Sequence, residues 1–185
     1  MRNRYIFHIE ALFLMFLFAS CTSKKVKARN NEISKISFAS GGCYGKCPFM
    51  AIEVDSSLSY KYYGGLYSDK PGYYTGKISA ELWDSINIKF EKVDFKHLDT
   101  SYQLSIDDLA TQTIIDYGNK RKVITAQSAS LPRNVDSLLN WIMYSYKKVN
   151  LIPSKDSIDF YSRLQYPIVL PPPMHKTYKV PKVGR

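Results

Sequence analysis

The sequence predicts a two-layer α+β domain, in which an antiparallel sheet of about five strands carries two helices on one face. Short β-prone runs are separated by turn residues, one of them alternates apolar and polar residues, and two longer stretches have helical periodicity. Strands joined by short turns are antiparallel, and amphipathic helices beside such a sheet must cover one of its faces. The predicted order is β-β-β-(β)-α-β-β-α.

The first strands are predicted from alternation and from aromatic content. The run KISFAS places Ile36 and Phe38 on one face, and FMAIEVD alternates apolar residues at 50, 52 and 54 with Ala, Glu and Asp. A turn at 55–57 leads into LSYKYYGG, whose tyrosines are typical of a strand. GYYTGKI predicts a further strand.

The second half predicts a helix, a hairpin and a last helix. Ser79 is a candidate N-cap, followed by apolar residues at 82, 86, 90 and 93. The runs TQTIIDY and KRKVITA are joined by Gly118 and Asn119, which predict a hairpin because glycine readily adopts positive φ. Pro132 suits the first turn of the last helix, whose apolar stripe is 135, 138, 139, 142 and 146.

The N-terminus predicts export from the cytosol. Arg2 and Arg4 precede nine consecutive apolar residues, 11–19, a run typical of a secretion signal. A bilayer-spanning helix needs about 20 apolar residues, so this run is too short to be one. An ordinary cleaved signal peptide is one interpretation of these residues.

The segment LFASC resembles the lipobox of bacterial lipoproteins, although Phe18 stands where leucine is preferred. The resemblance implies a signal peptide over 1–20, acyl chains such as palmitate on Cys21, and membrane attachment through that lipid. Thr22 rather than aspartate follows the cysteine, which implies an outer-membrane lipoprotein facing the periplasm.

The charge distribution argues against a nucleic-acid partner. The chain has a formal net charge of +10, yet residues 36–146 hold eleven basic and twelve acidic side chains. The excess lies in a basic tether, 21–35, and in a basic, proline-rich C-terminal tail, 151–185. A nucleic-acid binder needs a basic folded surface or a recognisable motif, and neither is apparent in the predicted domain, 36–150. Basic flanks beside a lipid anchor suit anionic head groups or cell-wall polymers.

The segment SGGCYGKCPFM raises four interpretations for Cys43 and Cys47. Zinc needs about four ligands, and after cleavage the only histidines left are His97 and His175. Disulfide exchange usually employs C-x-x-C at a helix start, whereas here the spacing is C-x-x-x-C with proline directly after. A nucleophilic cysteine needs a base, and His97 is the one plausible candidate.

The fourth and favoured interpretation is a structural disulfide. Exported proteins fold in an oxidising compartment. A loop of five residues, from Cys43 to Cys47, is compatible with disulfide geometry. Closing such a small loop stabilises a fold by about 2 kcal/mol. The bridge would pin a turn between two strands and hold Tyr44 and Lys46 outward.

Tyrosine is concentrated in YKYYGGLYSDKPGYY, which holds six of the fifteen tyrosines in the chain. Exposed aromatic side chains beside glycine turns can grip a protein or stack on sugars, whereas sheet packing is the alternative role. The residues predicted to contact a partner are Tyr44, Lys46, Tyr60, Tyr62, Tyr63 and Tyr67.

No metal site, cofactor or catalytic residue is predicted. Asp107 and Asp108 are adjacent, but the spaced oxygen ligands of a calcium loop do not accompany them. The sequence also contains no P-loop, no G-x-S-x-G and no H-E-x-x-H motif.

The segments GCYGKCPFMAIEVD, YYTGKIS, TQTIIDYGNKRKVI and LPRNVDSLLNWI resemble an uncharacterised domain of bacterial lipoproteins. Members of that family share a Cys-x-Gly-x-Cys-Pro core followed by a strand, which Cys43, Gly45, Cys47 and Pro48 match. Met50 departs from the family, which often has tyrosine there. The resemblance spans about residues 36–146, and it implies a fold and a location but no catalytic residue.

These observations together predict a lipid-anchored envelope protein that acts as a non-enzymatic binding or scaffold module. Its expected partner is an envelope protein or a cell-wall polymer. The alternative is a periplasmic thiol-redox or hydrolytic enzyme that uses Cys43 or Cys47.

Overall fold

The computed structural model describes residues 32–103, 107–161 and 164. The predicted signal peptide, the lipidation site Cys21 and most of the tether and tail lie outside the described residues. The strands are β1 Ile33–Gly41, β2 Met50–Asp55, β3 Ser59–Gly64, β4 Gly72–Lys77, β5 Ser101–Tyr102, β6 Ala110–Tyr117, β7 Lys120–Gln127 and β8 Ile152–Pro153. The α-helices are α1 Ala80–Lys92 and α2 Arg133–Met143, and short 3₁₀ helices span Ser128–Ser130 and Ser145–Lys148.

All eight strands form one sheet in the order β5-β7-β6-β1-β2-β3-β4-β8. Every neighbouring pair is antiparallel except β5 and β7, which are parallel. The α+β class and the two helices are therefore confirmed. The expectation of about five antiparallel strands is wrong in detail, because the sheet is mixed and larger.

The two strands that the sequence did not predict have two residues each. β5 pairs with β7 through Ser101 and Tyr102, and β8 pairs with β4 through Ile152 and Pro153. Two residues are too few for an alternation to be visible in a sequence. The predicted boundary of the C-terminal tail at 151 is also corrected, because Ile152 and Pro153 belong to the sheet.

The helices pack on one face of the sheet and enclose the main core. Phe38, Ile52 and Tyr62 lie opposite one another on β1, β2 and β3, and each is at most 1% exposed. The side chain of Ser79 caps α1 by accepting a hydrogen bond from the amide of Leu82 at 3.2 Å, as predicted. The buried stripe of α2 covers the same face. No helix within the described ranges is long and apolar enough to cross a membrane.

The two ends of the sheet differ. At one end, here called the cysteine end, the loop from β1 to β2 lies beside the loop from β3 to β4. At the opposite end, tight turns join β2 to β3 and β6 to β7. The loops of the cysteine end present Tyr44 and Tyr67 to solvent.

Candidate functional site at the cysteine end of the sheet

A disulfide closes the loop between β1 and β2. The Cα atoms of Cys43 and Cys47 are 5.8 Å apart, within the range that a disulfide requires. Inside this loop the amide of Gly45 donates to the carbonyl of Cys43 at 2.8 Å. At its end, the hydroxyl of Ser40 donates to the carbonyl of Pro48 at 2.9 Å. The loop is thus held by one covalent bond and by hydrogen bonds inside it and at its end.

Backbone hydrogen bonds join the disulfide loop to the loop between β3 and β4. The amide of Phe49 donates to the carbonyl of Leu66 at 2.9 Å, and the amide of Gly65 donates to the carbonyl of Phe49 at 2.7 Å. Gly65 permits this close approach, because a Cβ atom there would lie 3.1 Å from the Cβ atom of Phe49. The two loops therefore form one continuous surface.

Buried tyrosine hydroxyls hold the second loop from below. The hydroxyls of Tyr62 and Ser68 are 2.7 Å apart, and the hydroxyl of Tyr146 donates to the carboxylate of Asp69. The ammonium of Lys147 also lies 3.1 Å from Asp69. The bond from Tyr146 is the main cause that lowers the pKa of the Asp69 carboxyl, while burial is the main cause that raises the pKa of Tyr146.

Four of the exposed side chains on these two loops are here called the loop surface. Tyr44 is 96% exposed, Leu66 is 57% exposed and Tyr67 is 49% exposed. Lys46 is exposed beside Tyr44. Tyr67 has a backbone φ of +59°, a conformation that costs a non-glycine residue roughly 1–2 kcal/mol. Such strain is concentrated at functional positions in proteins.

The other three tyrosines predicted to contact a partner are core residues. Tyr60 is 1% exposed, Tyr62 is 0% exposed and Tyr63 is 9% exposed. Tyr60 and Tyr62 point to the helices, where the hydroxyl of Tyr60 lies 2.7 Å from that of Ser145. Tyr63 stacks on Tyr73 on the other face of the sheet. Their placement leaves no surface for a partner, which corrects the prediction for these three.

The structure separates His97 from the cysteines. Lys96, next to His97, pairs with Glu32 just before β1 begins, whereas Cys43 follows the end of β1. The nine residues of β1 therefore lie between them, a span of roughly 30 Å at about 3.3 Å per residue. His97 pairs instead with Asp94 at 2.9 Å. The geometry does not provide the cysteine–histidine pair that a nucleophilic mechanism needs.

Asp107 and Asp108 support loops at the cysteine end. A carboxylate oxygen of Asp107 accepts a hydrogen bond from the amide of Tyr44, and Asp108 accepts one from the amide of Ala129 at 2.6 Å. The sequence did not reveal this role, because the bond from Tyr44 spans 63 residues of chain. Across the described ranges, no three His, Cys, Asp or Glu side chains gather closely enough to hold a metal ion.

Comparison with known families identifies the domain that carries this surface. A family model for a domain of unknown function, DUF6438, matches residues 34–146. The chain belongs to the DUF6438 family. No curated protein gives a significant match to the chain.

The DUF6438 match includes both loops of the loop surface and both helices, and it ends at Tyr146, before β8. The resemblance noted from the sequence is therefore confirmed as a domain of unknown function. Residues 34–146 are the DUF6438 domain of this chain, and the segment from 147 onward lies outside the match.

Removing the disulfide from this DUF6438 domain is expected to lower its stability modestly. For the variant Cys43→Ala/Cys47→Ala we expect a loss of about 2 kcal/mol in the free energy of unfolding, because the unfolded chain gains the entropy of an open five-residue loop. Urea denaturation followed by circular dichroism measures this loss. Gly45→Ala is the control, since its Cβ would meet only the Cys43 sulfur at 3.9 Å. An unchanged urea midpoint in the double variant would contradict the prediction.

Proposed function

We propose that this protein is a non-enzymatic binding module of the bacterial envelope that recognises a protein partner through the loop surface. The observation that carries the proposal is the exposure of two tyrosines and a leucine on loops that are fixed before any partner arrives. Tyr44 and Tyr67 together with Leu66 offer apolar area, and Lys46 adds a cation beside them. Aromatic side chains dominate the energetics of many protein interfaces.

Preorganisation supports this role. The Cys43–Cys47 bridge and the Asp107 carboxylate fix the loop that carries Tyr44, while Ser68 and Asp69 anchor the neighbouring loop to buried tyrosines. A binding loop that is already ordered loses less conformational entropy when its partner docks, so more of the contact energy appears as affinity. The bridge also engages both sulfurs in the loop, which favours a structural role over thiol chemistry.

Attachment to the membrane through acyl chains on Cys21 is part of the proposal, with the domain facing the periplasm from the outer membrane. The support for it is the LFASC segment after a nine-residue apolar run. Several acyl chains anchor a protein firmly, since each buried CH₂ contributes about 0.8 kcal/mol. The eleven residues between Cys21 and the start of β1 would form a tether that lets the domain reach a partner near the membrane.

Site-specific photo-crosslinking in intact cells tests the proposal. A photoreactive amino acid replaces Tyr44 or Tyr67 in the full-length chain, and Asn119, in the turn at the opposite end of the sheet, is the matched exposed control. We expect a discrete protein adduct from positions 44 and 67 and none from 119. The adduct at 44 should weaken when Cys43 and Cys47 are replaced by alanine, because the loop then loses its fixed shape.

The variant Cys21→Ser tests the anchor. In cells that express Cys21→Ser, the chain should leave the membrane fraction.

In the crosslinking experiment, equal adducts at all three positions would contradict recognition through the loop surface, and so would adducts at none of them. A carbohydrate adduct at 44 and 67 would assign the surface to cell-wall polymer and would also overturn the protein partner.

A further inference from the structure

The face of the sheet opposite the helices, here called the second face, is buried along its two central strands. Ser37 and Ala39 of β1 are 2% and 0% exposed, and Ala51 and Glu53 of β2 are 3% and 2% exposed. An antiparallel sheet with helices on one face commonly leaves its other face to water. The second face of this sheet is therefore a surface that is built to be covered.

The described part of its cover is a C-terminal segment, here called the strap, residues 154–161 and 164. Phe160 and Leu164 of the strap pack on an apolar cluster of Ala39, Ala51 and Tyr63, against which Tyr73 also packs. The DUF6438 match ends at Tyr146, so the strap covers the domain from outside it. The face belongs to the domain, whereas its cover belongs to the C-terminal extension beyond the domain.

The strap also places an aromatic ring between two cations. The ammonium of Lys35 lies 4.6 Å from the centre of the Tyr161 ring, and the guanidinium carbon of Arg121 lies 5.0 Å from it. Arg121 is held in place by Asp116 through bonds of 2.6 and 3.0 Å. Cation–aromatic contacts of this kind favour a tyrosine, phenylalanine or tryptophan at that point of any segment on the face.

The second face also holds a buried carboxylate. Glu53 is 2% exposed, and its oxygens lie 2.8 Å from the Lys61 ammonium, 3.6 Å from that of Lys35 and 3.2 Å from the Ser37 hydroxyl. A buried charge is tolerated only when it is paired in this way. Lys35 thus pairs with Glu53 together with Lys61, and it also contacts the Tyr161 ring. The same side chain therefore links the buried carboxylate of the face to the strap.

Backbone hydrogen bonds anchor the start of the strap. Its backbone follows the two-residue strand β8, and the amide of Ser154 donates to the carbonyl of Tyr73 at 2.8 Å. Most strap residues are exposed, and Tyr161 itself is 54% exposed. Beside Tyr161 the face continues into a pocket of about 480 Å³ lined by Gln112, Ile114, Arg121, Val123 and Tyr161. That volume is within the range of pockets that accept ligand groups.

We propose that the second face is a peptide-binding surface and that the strap is its resident ligand within the same chain. The partner is an extended segment of another protein that carries two consecutive aromatic residues followed three positions later by a leucine, as Phe160, Tyr161 and Leu164 do. Such a segment binds by displacing the strap. This inference does not depend on the loop surface, which lies at one end of the sheet rather than on this face.

A peptide with the sequence of the strap tests the proposal directly. The probe is a fluorescent peptide SKDSIDFYSRL, residues 154–164, and the target is the detergent-solubilised full-length chain with Phe160→Ser and Leu164→Ser. We expect this variant to bind the peptide at least about tenfold more tightly than the wild-type chain does, because the wild-type chain binds only in the fraction of molecules whose strap is open. A peptide with both aromatic residues replaced by serine should not bind.

Two further measurements keep the test decisive. If the double variant does not fold, the milder variant Tyr161→Ser replaces it. This variant should bind the peptide more tightly than the wild-type chain does. In the wild-type chain, hydrogen exchange should reveal strap amides that open faster than those of β1 and β2. The proposal is overturned by equal peptide affinity in all chains, or by exchange of the strap only with global unfolding. A strap-exchanged dimer in light scattering would assign the face to a second copy and would overturn it as well.

Discussion

The domain is expected to unfold cooperatively when the pH rises above about 10, the ordinary pKa of tyrosine. Burial raises the pKa of the hydroxyls of Tyr60, Tyr62, Tyr63, Tyr73 and Tyr146. The unfolded chain releases these protons near pH 10, whereas the folded chain retains them. Stability is therefore fully present below pH 10, and it declines as the pH rises toward the folded pKa of each group.

The expected size of this effect is large. A tyrosine that stays neutral in the folded chain lowers stability by about 1.4 kcal/mol for each pH unit above its unfolded pKa. For Tyr60, whose pKa burial raises furthest, this amounts to roughly 3 kcal/mol at pH 12, and the other four hydroxyls act in the same direction. That loss is a large fraction of the stability of a typical domain.

An alkaline titration measures the prediction. Far-ultraviolet circular dichroism should change in one transition above pH 10, and the phenolate absorbance of the five buried tyrosines should appear only within that transition. Tyr44→Phe is the matched control at a side chain that is 96% exposed, and it should leave the midpoint unchanged. If phenolate formation is complete while the circular dichroism stays native, the five tyrosines are not buried as described.

Replacing Tyr62 by alanine is expected to destabilise the fold by about 3–5 kcal/mol, the range for truncating a large buried aromatic side chain. Tyr62 is 0% exposed, and its ring stacks on that of Tyr146 with centroids 4.6 Å apart and lies 5.9 Å from that of Tyr74. Its hydroxyl also holds Ser68. The variant loses ring packing, leaves a cavity and frees the loop above it.

Two matched variants separate these contributions in urea denaturation. Tyr62→Phe retains the ring and loses only the hydrogen bond, so about 1 kcal/mol is expected. Tyr67→Ala, five positions along and 49% exposed, should change stability by less than about 0.5 kcal/mol. A cost for Tyr62→Ala no greater than that for Tyr67→Ala would show that the two tyrosines do not divide into core and surface.

These two experiments concern the main difference between the expected and the observed site. The sequence placed Tyr60, Tyr62 and Tyr67 in one contact set, because the run YKYYGGLYSDKPGYY does not show which layers cover each face. In the structure, Tyr62 supports the loop from which Tyr67 projects. The aromatic run therefore has two roles, and the buried members prepare the loop that the exposed members occupy.

Local patterns predicted most of the framework. Ser79 caps its helix, the apolar stripe of α2 faces the core, and Gly118 turns the hairpin with a φ of +50°. Each of these features depends on neighbours within a few residues, so the amino-acid order alone contains the information. The disulfide between Cys43 and Cys47 belongs to the same group, since four positions separate its cysteines.

Contacts between distant parts of the chain decided the rest. Asp107 reaches Tyr44 across 63 residues and Asp69 reaches Tyr146 across 77. β5 and β8 exist because β7 and β4 offer open edges, and not because two residues have a strand pattern of their own. The amino-acid sequence determined the fold class, the helices and the bridged turn, for which the causes are local. Only the tertiary structure decided which tyrosines are buried and what covers the second face, because burial depends on the residues that pack from elsewhere in the chain.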